Sequence, residues 1–184
     1  MLLTDLLVKF NACDPAKEWA ATLGAKQQAD QAAWDACPRA DWLLRILGDI
    51  GATRQTLVLA ACACAREALP FVAKGEKRPA AAIELAVNWA SGGRKGRSLD
   101  VVGAAAIAAD LGSASEFPAA YAAHAATITV IVQHPWVSSP FAAYWAARAM
   151  GGEDPSAALL RLAAIVCEAV EWRDVAALLK NHAT

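Results

Sequence analysis

Apolar residues recur at helical spacing along most of this chain, and the pattern is clearest between residues 56 and 93. Two apolar stretches follow one another there, separated by a short basic connection. Their apolar positions repeat every three or four residues, which is typical of the buried face of a helix. They are Leu57, Ala60, Ala61, Cys64, Ala68 and Phe71 in the first stretch, and Ile83, Ala86, Val87 and Ala90 in the second. The pattern predicts two helices that form a hairpin.

Proline and glycine mark the ends of these two helices. Pro70 lies near the end of the first stretch, where a proline tends to close or kink a helix. Gly75 lies in the basic connection, and Pro79 fits the first turn of the second helix, where its missing N–H costs nothing. The pair Gly92-Gly93 predicts the end of that helix.

The rest of the chain shows the same helical pattern, and strand signals are almost absent. Alanine is frequent, and β-branched residues do not alternate with polar ones over a useful length. Further helices are predicted over residues 2–10, 14–23, 26–36, 38–47, 98–111, 115–133, 138–150 and 154–180. The sequence therefore predicts an all-α fold, with a single compact domain over residues 1–184 and about eight to ten helices. Stacked helical hairpins and a globular arrangement both remain open.

Several of the predicted helix starts depend on local signals. Two Asp-Pro pairs, at Asp14 and Asp154, place a capping acid before a proline in the first helical turn. The run 138–140 (SSP) is predicted to begin another helix. The segment HPWVSS, which holds Trp136, is then expected to be a loop.

Residues 104–149 are rich in alanine. Small side chains allow helix axes to approach toward the close end of their usual range of about 8–10 Å. The larger gaps are expected to be filled by tryptophans, of which the chain has seven. Trp34, Trp42, Trp89 and Trp145 fall on apolar faces and are predicted to belong to the core.

Composition and charge limit the classes of function. With 184 residues, of which 57% are apolar and 19% charged, the chain has enough apolar length for a substantial core. The net charge of -1 predicts no bulk attraction to nucleic acid or to a membrane. Charge is distributed unevenly, because residues 74–97 hold six Lys or Arg against two acids and residues 98–184 hold four against eight. The middle of the chain is therefore locally basic.

Cysteine usage and the start of the chain bear on its location. Five cysteines are an odd number without framework spacing, and we interpret them as reduced thiols. Asp5 interrupts the first apolar residues, so no signal peptide is expected. The longest apolar stretch, residues 117–132, is mostly alanine, contains His124 and is short for a membrane span. We therefore expect a cytoplasmic protein with no membrane partner.

The residues that resemble catalytic or metal sites also have structural interpretations. Cys62 and Cys64 lie two apart, and helical positions two apart point in different directions, so burial is favoured over metal binding. The acids Asp41, Glu67 and Glu84 are interpreted as solvated or paired helix residues.

The chain has three histidines. His124, His134 and His182 share no metal-binding spacing. The sequence therefore predicts no catalytic residue, no metal and no cofactor. An enzyme whose site assembles only in the fold stays open as an alternative, because catalytic partners need not be neighbours in sequence.

Four basic residues and one tryptophan are the candidates for partner binding: Lys77, Arg78, Arg94, Lys95 and Trp136. The charges flank the second hairpin helix, whose ends are about 18–20 Å apart at 1.5 Å per residue. They are interpreted either as solvated loops or as a docking surface for an acidic protein. Nucleic acid is not favoured, because aromatic residues are not interleaved with the charges. A loop tryptophan is a candidate contact residue, since tryptophan is enriched at interface hot spots.

Three segments together resemble a known family. They are AWDACPRADWLLRIL (33–47), ACACAREALPF (61–71) and RPAAAIELAVNWASGG (78–93). These segments are similar to the immunity-protein family of all-α proteins that are linked with bacterial polymorphic toxin systems and have relatives in phages and prophages. The matching parts are the DWLL step, the Cys-Ala-Arg step and the RP-x3-AIE-x4-WA-x-G run, and the remaining alanine-rich chain resembles the family in composition.

The resemblance implies a function without catalysis. The expected activity is binding and neutralising a toxin protein by steric occlusion, which requires a rigid scaffold and a charged or aromatic surface. The nearest alternative is a phage or prophage protein that inhibits a host defence component by binding it. A structural phage or scaffold component and a homo-oligomer also remain open.

Overall fold

The computed structural model describes residues 3–24, 31–92 and 118–181, and within these ranges every regular element is helical. The α-helices are α1 (Leu3–Lys9), α2 (Asp14–Thr22), α3 (Gln31–Asp35), α4 (Ala40–Asp49), α5 (Arg54–Glu67), α6 (Arg78–Ala90), α7 (Pro118–Ile128), α8 (Pro135–Gly151), α9 (Ser156–Ala169) and α10 (Trp172–Lys180). A short 3₁₀ turn, Leu69–Phe71, follows α5. The all-α prediction is confirmed, and the ten helices of the described residues agree with the expected number.

Helices α5 and α8 lie at the centre of a compact arrangement. Helix α5 packs against α6, α7, α8 and α9, and α8 packs against α4, α5, α7 and α9. One continuous hydrophobic core runs through these contacts and extends from Leu6 in α1 to Val175 in α10. Both central helices are therefore held on several sides by their neighbours.

The predicted hairpin is present as α5 and α6. Its predicted apolar positions are buried, except for Val87, which is partly buried, and Phe71. The prediction for Phe71 is wrong, because its side chain is 55% exposed. Helix α5 ends at Glu67, so Phe71 lies in the 3₁₀ turn and no longer shares the helical face. Pro79 lies in the first turn of α6, as predicted, and Gly92 takes a positive φ of 76° just after its end.

The start of α2 differs from the prediction in its capping residue. Cys13 is the N-cap, with an extended backbone, and its carbonyl accepts the N–H groups of Ala16 and Lys17 at 3.1 and 3.2 Å. Asp14 is the first helical residue, and its carboxylate accepts from the Lys17 ammonium at 3.1 Å. An acid in the first turn still complements the positive end of the helix dipole.

Three other boundaries were predicted wrongly, and the first is the end of the helix predicted over 115–133, which stops at Ile128. Helix α8 begins at Pro135, so HPWVSS is not a loop, and Pro140 lies inside the helix. A proline at the first helical position is favourable, because its fixed φ suits the helix and the N–H that it lacks would have no partner there. The segment predicted as one helix over 154–180 is two, α9 and α10, because Val170 and Glu171 adopt extended conformations. Val170 is buried at this break, which anchors the turn in the core.

Some predictions lie outside the described residues. These are the helix over 98–111, the residues 26–30 at the start of the third predicted helix, and the stop at Gly93. Of the helix predicted over 26–36, the described residues form a helix over Gln31–Asp35. Its Trp34 is buried, as expected.

Candidate functional site

The acids with possible catalytic roles are paired with arginines. Glu84 of α6 accepts from Arg66 of α5 at 2.7 Å, and Glu67 accepts from Arg161 of α9 at the same distance. Asp41 accepts two hydrogen bonds from the guanidinium of Arg39, at 3.1 and 2.7 Å. These pairs join α5 to its neighbours and fix the start of α4. The interpretation of these acids as paired helix residues is confirmed.

The buried cysteines are unsuited to nucleophilic chemistry. Cys62 and Cys64 are fully buried in α5, as the sequence predicts. Burial raises the pKa of the Cys62 thiol to about 12 and raises that of Cys64 as well. Cys37 is also buried, and its pKa is raised to about 12 for the same reason. Because the thiolate is the reactive form, these three side chains are chemically quiet at neutral pH.

Across residues 3–24, 31–92 and 118–181, no three His, Cys, Asp or Glu side chains are placed so that they would hold an ion. His124 lies in α7 and His134 just before α8, whereas His182 is outside the described residues.

The predicted basic site begins with Lys77 and Arg78, at the start of α6. Both residues are exposed. The Arg78 guanidinium donates from Nε to both carboxylate oxygens of Glu76, at 2.8 and 2.9 Å, and the backbone N–H of Arg78 donates to the same carboxylate at 2.8 Å. These hydrogen bonds hold the pKa of Glu76 at about 2. Glu76 therefore offsets a positive charge that would otherwise oppose the helix dipole.

The predicted site residues do not come together in the described structure. Arg54, in the first turn of α5, donates to the carbonyl of Val130 at 2.8 Å, so the connection between α7 and α8 lies at the beginning of α5. Lys77 and Arg78 lie near the opposite end of α5, whose 14 residues span about 21 Å. Trp136 is in the first turn of α8, close in sequence to that connection.

Two further site residues, Arg94 and Lys95, lie outside the described residues. Their predicted role stays a prediction, as do the binding roles of Lys77, Arg78 and Trp136.

A different surface, which the sequence reasoning missed, lies along the outer side of α8. Val137 and Phe141 are 51% and 52% exposed, although both side chains are large and apolar. Tyr144 and Trp145 continue the same side of the helix one turn later and are partly buried. Residues separated by three or four positions lie on one face of a helix. The outer side of α8 is therefore an apolar and aromatic strip.

Aromatic contacts join this strip to α7. The rings of Trp145 and Tyr144 lie 5.2 Å apart in an edge-on arrangement, and Trp145 lies 5.7 Å from Tyr121. Tyr121 in turn lies 6.0 Å from the ring of His124. We call the surface formed by these residues the α7–α8 face; it consists of Tyr121, His124, Val137, Phe141, Tyr144 and Trp145.

The inner side of the same two helices is built from alanine. Helix α8 buries Ala142, Ala143, Ala146 and Ala147 completely, and α7 buries six alanines of its own. The hydroxyls of Thr129 and Ser138 lie 3.1 Å apart where the helices join. Within residues 118–147 the alanines are buried, as the prediction for residues 104–149 requires, whereas residues 104–117 lie outside the described residues. Val137 and Phe141 stand on the outside, whereas Trp145 packs against the core, as the sequence predicted.

The α7–α8 face also lacks charge. Residues 118–147 contain no Lys, Arg, Asp or Glu. This gap in charge, together with the spacing of Val137 and Phe141, was visible in the sequence. These two features did not show which side of the helices faces outward, because α7 is apolar on nearly every side. The face presents apolar and aromatic surface with a few polar tips.

None of the helices in the described ranges is both long and apolar enough to cross a membrane. Comparison of the chain with protein-family models, curated proteins and solved structures finds no match.

Proposed function

We propose that this chain is a protein-binding protein that neutralises a toxin by direct binding, and that it binds through the α7–α8 face. The observation that carries the proposal is the inverted packing of α8, which buries alanines and exposes Val137 and Phe141. Toxin neutralisation comes from the resemblance to immunity proteins, and the face provides a surface suited to it.

The composition of the face fits a protein contact. The centres of protein interfaces are depleted in charge and enriched in aromatic residues. A few such residues usually supply most of the binding energy. Fully burying a phenylalanine contributes about 1.5–3 kcal/mol. Phe141 is 52% exposed, so a partner that covers it gains roughly half of that free energy. Exposed apolar patches larger than a few hundred Å² often mark interaction sites.

The setting of the face favours tight binding. Helix α8 is held by α4, α5, α7 and α9, and the rings of Tyr121, Tyr144 and Trp145 support one another. A surface that is already ordered loses little conformational entropy when it binds. Steric occlusion of a toxin requires such a rigid surface and no chemical step.

The charge of the face defines its occupant. A charged group of the partner that was buried against residues 118–147 would find no opposite charge there, and an unpaired buried charge is strongly unfavourable. The partner's contact surface is therefore apolar and uncharged at its centre. A phage or prophage protein that blocks a host defence component would use the same surface, and the identity of the bound protein separates the two roles.

The test is a tagged pull-down from the native host lysate with three matched proteins: the wild type, Phe141→Glu and Phe71→Glu. Phe71 is the control, because it is 55% exposed and Phe141 is 52% exposed, but it lies outside the face. We expect the wild type and F71E to retain one stoichiometric protein and F141E to lose it, with a fall in affinity of at least about thirtyfold, as for an interface hot spot. Circular dichroism checks that both variants fold.

Equal retention by F141E and the wild type would remove the α7–α8 face as the binding surface. Absence of any stoichiometric partner would count against the binding function itself. If a partner is captured, mass spectrometry decides whether it is a toxin or a defence component.

A further inference from the structure

Two cysteines that are far apart in sequence meet at one backbone carbonyl, that of Trp34 in α3. Cys37, in the connection between α3 and α4, donates its backbone N–H to this oxygen at 3.2 Å. Cys167, near the end of α9, donates its thiol to the same oxygen at 3.8 Å. Because both groups contact one atom, the backbone nitrogen of Cys37 lies no more than about 7 Å from the Sγ of Cys167. The packing of α3 against α9 thus brings two thiols together.

Both thiols are free, and the Cys37 side chain is held only weakly. Its Sγ donates to the Arg39 carbonyl at 3.5 Å, and a thiol is a weak hydrogen-bond donor. Cys37 belongs to no helix, so rotation of its side chain away from Arg39 breaks no helical hydrogen bond. Residues joined by a disulfide have Cα atoms about 4.4–6.8 Å apart. A small movement of the connection therefore suffices to bring the two sulfur atoms into bonding range.

The two thiols differ in their access to solvent. Cys37 is 1% exposed, whereas Cys167 is partly exposed. A dissolved oxidant therefore reaches Cys167 first, and Cys37 is placed behind it to complete the reaction. Cys62 and Cys64 do not form a second pair of this kind, because both are fully buried and helical positions two apart point in different directions.

We propose that Cys37 and Cys167 form a disulfide when the folded chain meets hydrogen peroxide, and that this bond is an oxidation-dependent cross-link between the α3–α4 connection and α9. The Cys167 thiolate attacks one oxygen of the peroxide, the O–O bond breaks, and a sulfenic acid forms as the first water leaves. The Cys37 sulfur then attacks the Cys167 sulfur, the S–O bond breaks, and a second water leaves. The two thiols thus give two electrons and two protons to the peroxide, which is reduced to two water molecules.

Burial makes this cross-link slow to form at neutral pH. It raises the pKa of Cys167 to about 11 and that of Cys37 to about 12, and the charge of Cys167 adds to the rise at Cys37. The reactive thiolate of Cys167 is therefore scarce at pH 7 and increases about tenfold with each pH unit below its pKa. The pair responds to sustained oxidation and not to a brief exposure. The charged groups that face it are Asp35 and Glu168 beside Cys167, and Arg39 and Asp41 beside Cys37.

The first experiment is intact-mass spectrometry of the folded chain after treatment with hydrogen peroxide at about pH 9. Cys13 is exposed, so it is first replaced in the variant Cys13→Ser. We expect C13S to lose two hydrogen atoms, to regain them with dithiothreitol, and to yield a peptide that joins Cys37 to Cys167. The reaction should be about a hundredfold slower at pH 7, where less thiolate is present. A folded C13S that keeps all its hydrogen atoms overturns the cross-link, as does a disulfide that maps to Cys62 and Cys64 or joins two chains.

The second experiment separates the roles of the two thiols in the C13S background. In Cys37→Ala we expect Cys167 to stop at the sulfenic acid, which dimedone labels, whereas in Cys167→Ala the buried Cys37 should stay unlabelled. Circular dichroism checks that both variants fold. Loss of two hydrogen atoms by either variant would contradict the pairing, and labelling of Cys37 in C167A would overturn the proposed order of attack.

Thermal unfolding measures what the bond does to the fold. The cross-link closes a loop of about 130 residues and so restricts the unfolded chain. The unfolding midpoint of C13S should rise by roughly 5–15 °C on oxidation and return with dithiothreitol, whereas that of C37A should not rise. An oxidised C13S that carries the bond but unfolds at the same temperature would overturn its role in holding α9 to the α3–α4 connection.

Discussion

Two helix pairs of this protein are built in opposite ways. The α5–α6 pair buries large side chains such as Leu57 and Ile83 and exposes charged ones such as Arg66 and Glu84. The α7–α8 pair buries chiefly alanine and exposes two large apolar side chains, Val137 and Phe141. Stability alone explains the first arrangement. The second needs a further reason, because Val137 and Phe141 contribute little to the chain's own core.

The difference lies in what each pair gains from packing. A fully buried leucine contributes about 1.5–3 kcal/mol through removal of apolar surface from water. Alanine contributes less, but it allows the backbones of two helices to approach closely. The α7–α8 pair thus obtains its interior chiefly from small residues and leaves Val137 and Phe141 at the surface. The comparison supports a structural role for α5–α6 and a binding role for α7–α8.

The largest expected effect tests the structural role of α5. Leu57→Ala removes a side chain that is 0% exposed and leaves a cavity, so the free energy of unfolding should fall by about 2–5 kcal/mol. Leu59→Ala is the matched control on the same helix, because Leu59 is 37% exposed and its loss should cost much less. Urea unfolding of both variants measures the difference. A similar fall in the free energy of unfolding for both variants would show that Leu57 is not more deeply buried than Leu59.

The sequence predicted the α5–α6 pair well because its signals are local. Apolar spacing identified the buried faces of both helices, and Pro79 and Gly92 marked a start and an end at the correct places. Phe71 was assigned wrongly, because the spacing continues beyond the point where α5 ends. Periodicity cannot show where a helix stops when apolar residues continue in step with it.

The α7–α8 pair was harder to predict for a physical reason. A helix with alanine on every side has no apolar stripe that distinguishes its inner face, so the neighbours in the fold decide which side faces solvent. The outer position of Phe141 depends on α4, α5 and α9, which are distant in sequence. The start of α8 was missed as well, because proline is equally common in loops and in first helical turns. Pairing of Arg161 with Glu67 is likewise set by the tertiary fold alone.

A smaller effect is expected from enlarging the alanine interior. Ala146→Leu places three extra carbon atoms where α8 is completely buried, and the overpacking should lower the free energy of unfolding by about 1–3 kcal/mol. Ala81→Leu on α6 is the control, because residue 81 is exposed and the change should be close to neutral. Thermal unfolding of both variants provides the measurement. A neutral A146L would mean that α8 has room for larger side chains and that close approach is not the reason for its alanines.

The smallest effect concerns charge, which distinguishes the two pairs most simply. At the start of α6 the Arg78 guanidinium holds the pKa of Glu76 at about 2, below its ordinary value of 4.5. Because the pKa is lower in the folded chain, this pair stabilises the fold above about pH 4.5, and the contribution is lost as the pH falls from there through 2. The pair lies at the surface, so the change in stability is small and the pKa itself is the better observable.

Carbon-detected NMR titration of the Glu76 carboxyl group measures that pKa directly. In Arg78→Met it should rise toward 4.5, because the hydrogen bonds and the positive charge of the guanidinium are gone. Lys74→Met is the control: it removes a charge that lies nearby in sequence but keeps the Glu76–Arg78 pair, so the pKa should stay low. An unchanged pKa in R78M would mean that the guanidinium does not set it.

The ring signals of Tyr121 and Trp145 should not follow the same titration, since residues 118–147 contain no carboxylate. A carboxylate titration detected on those rings would show that the α7–α8 face is electrostatically coupled to charged groups and would weaken the contrast between the two pairs.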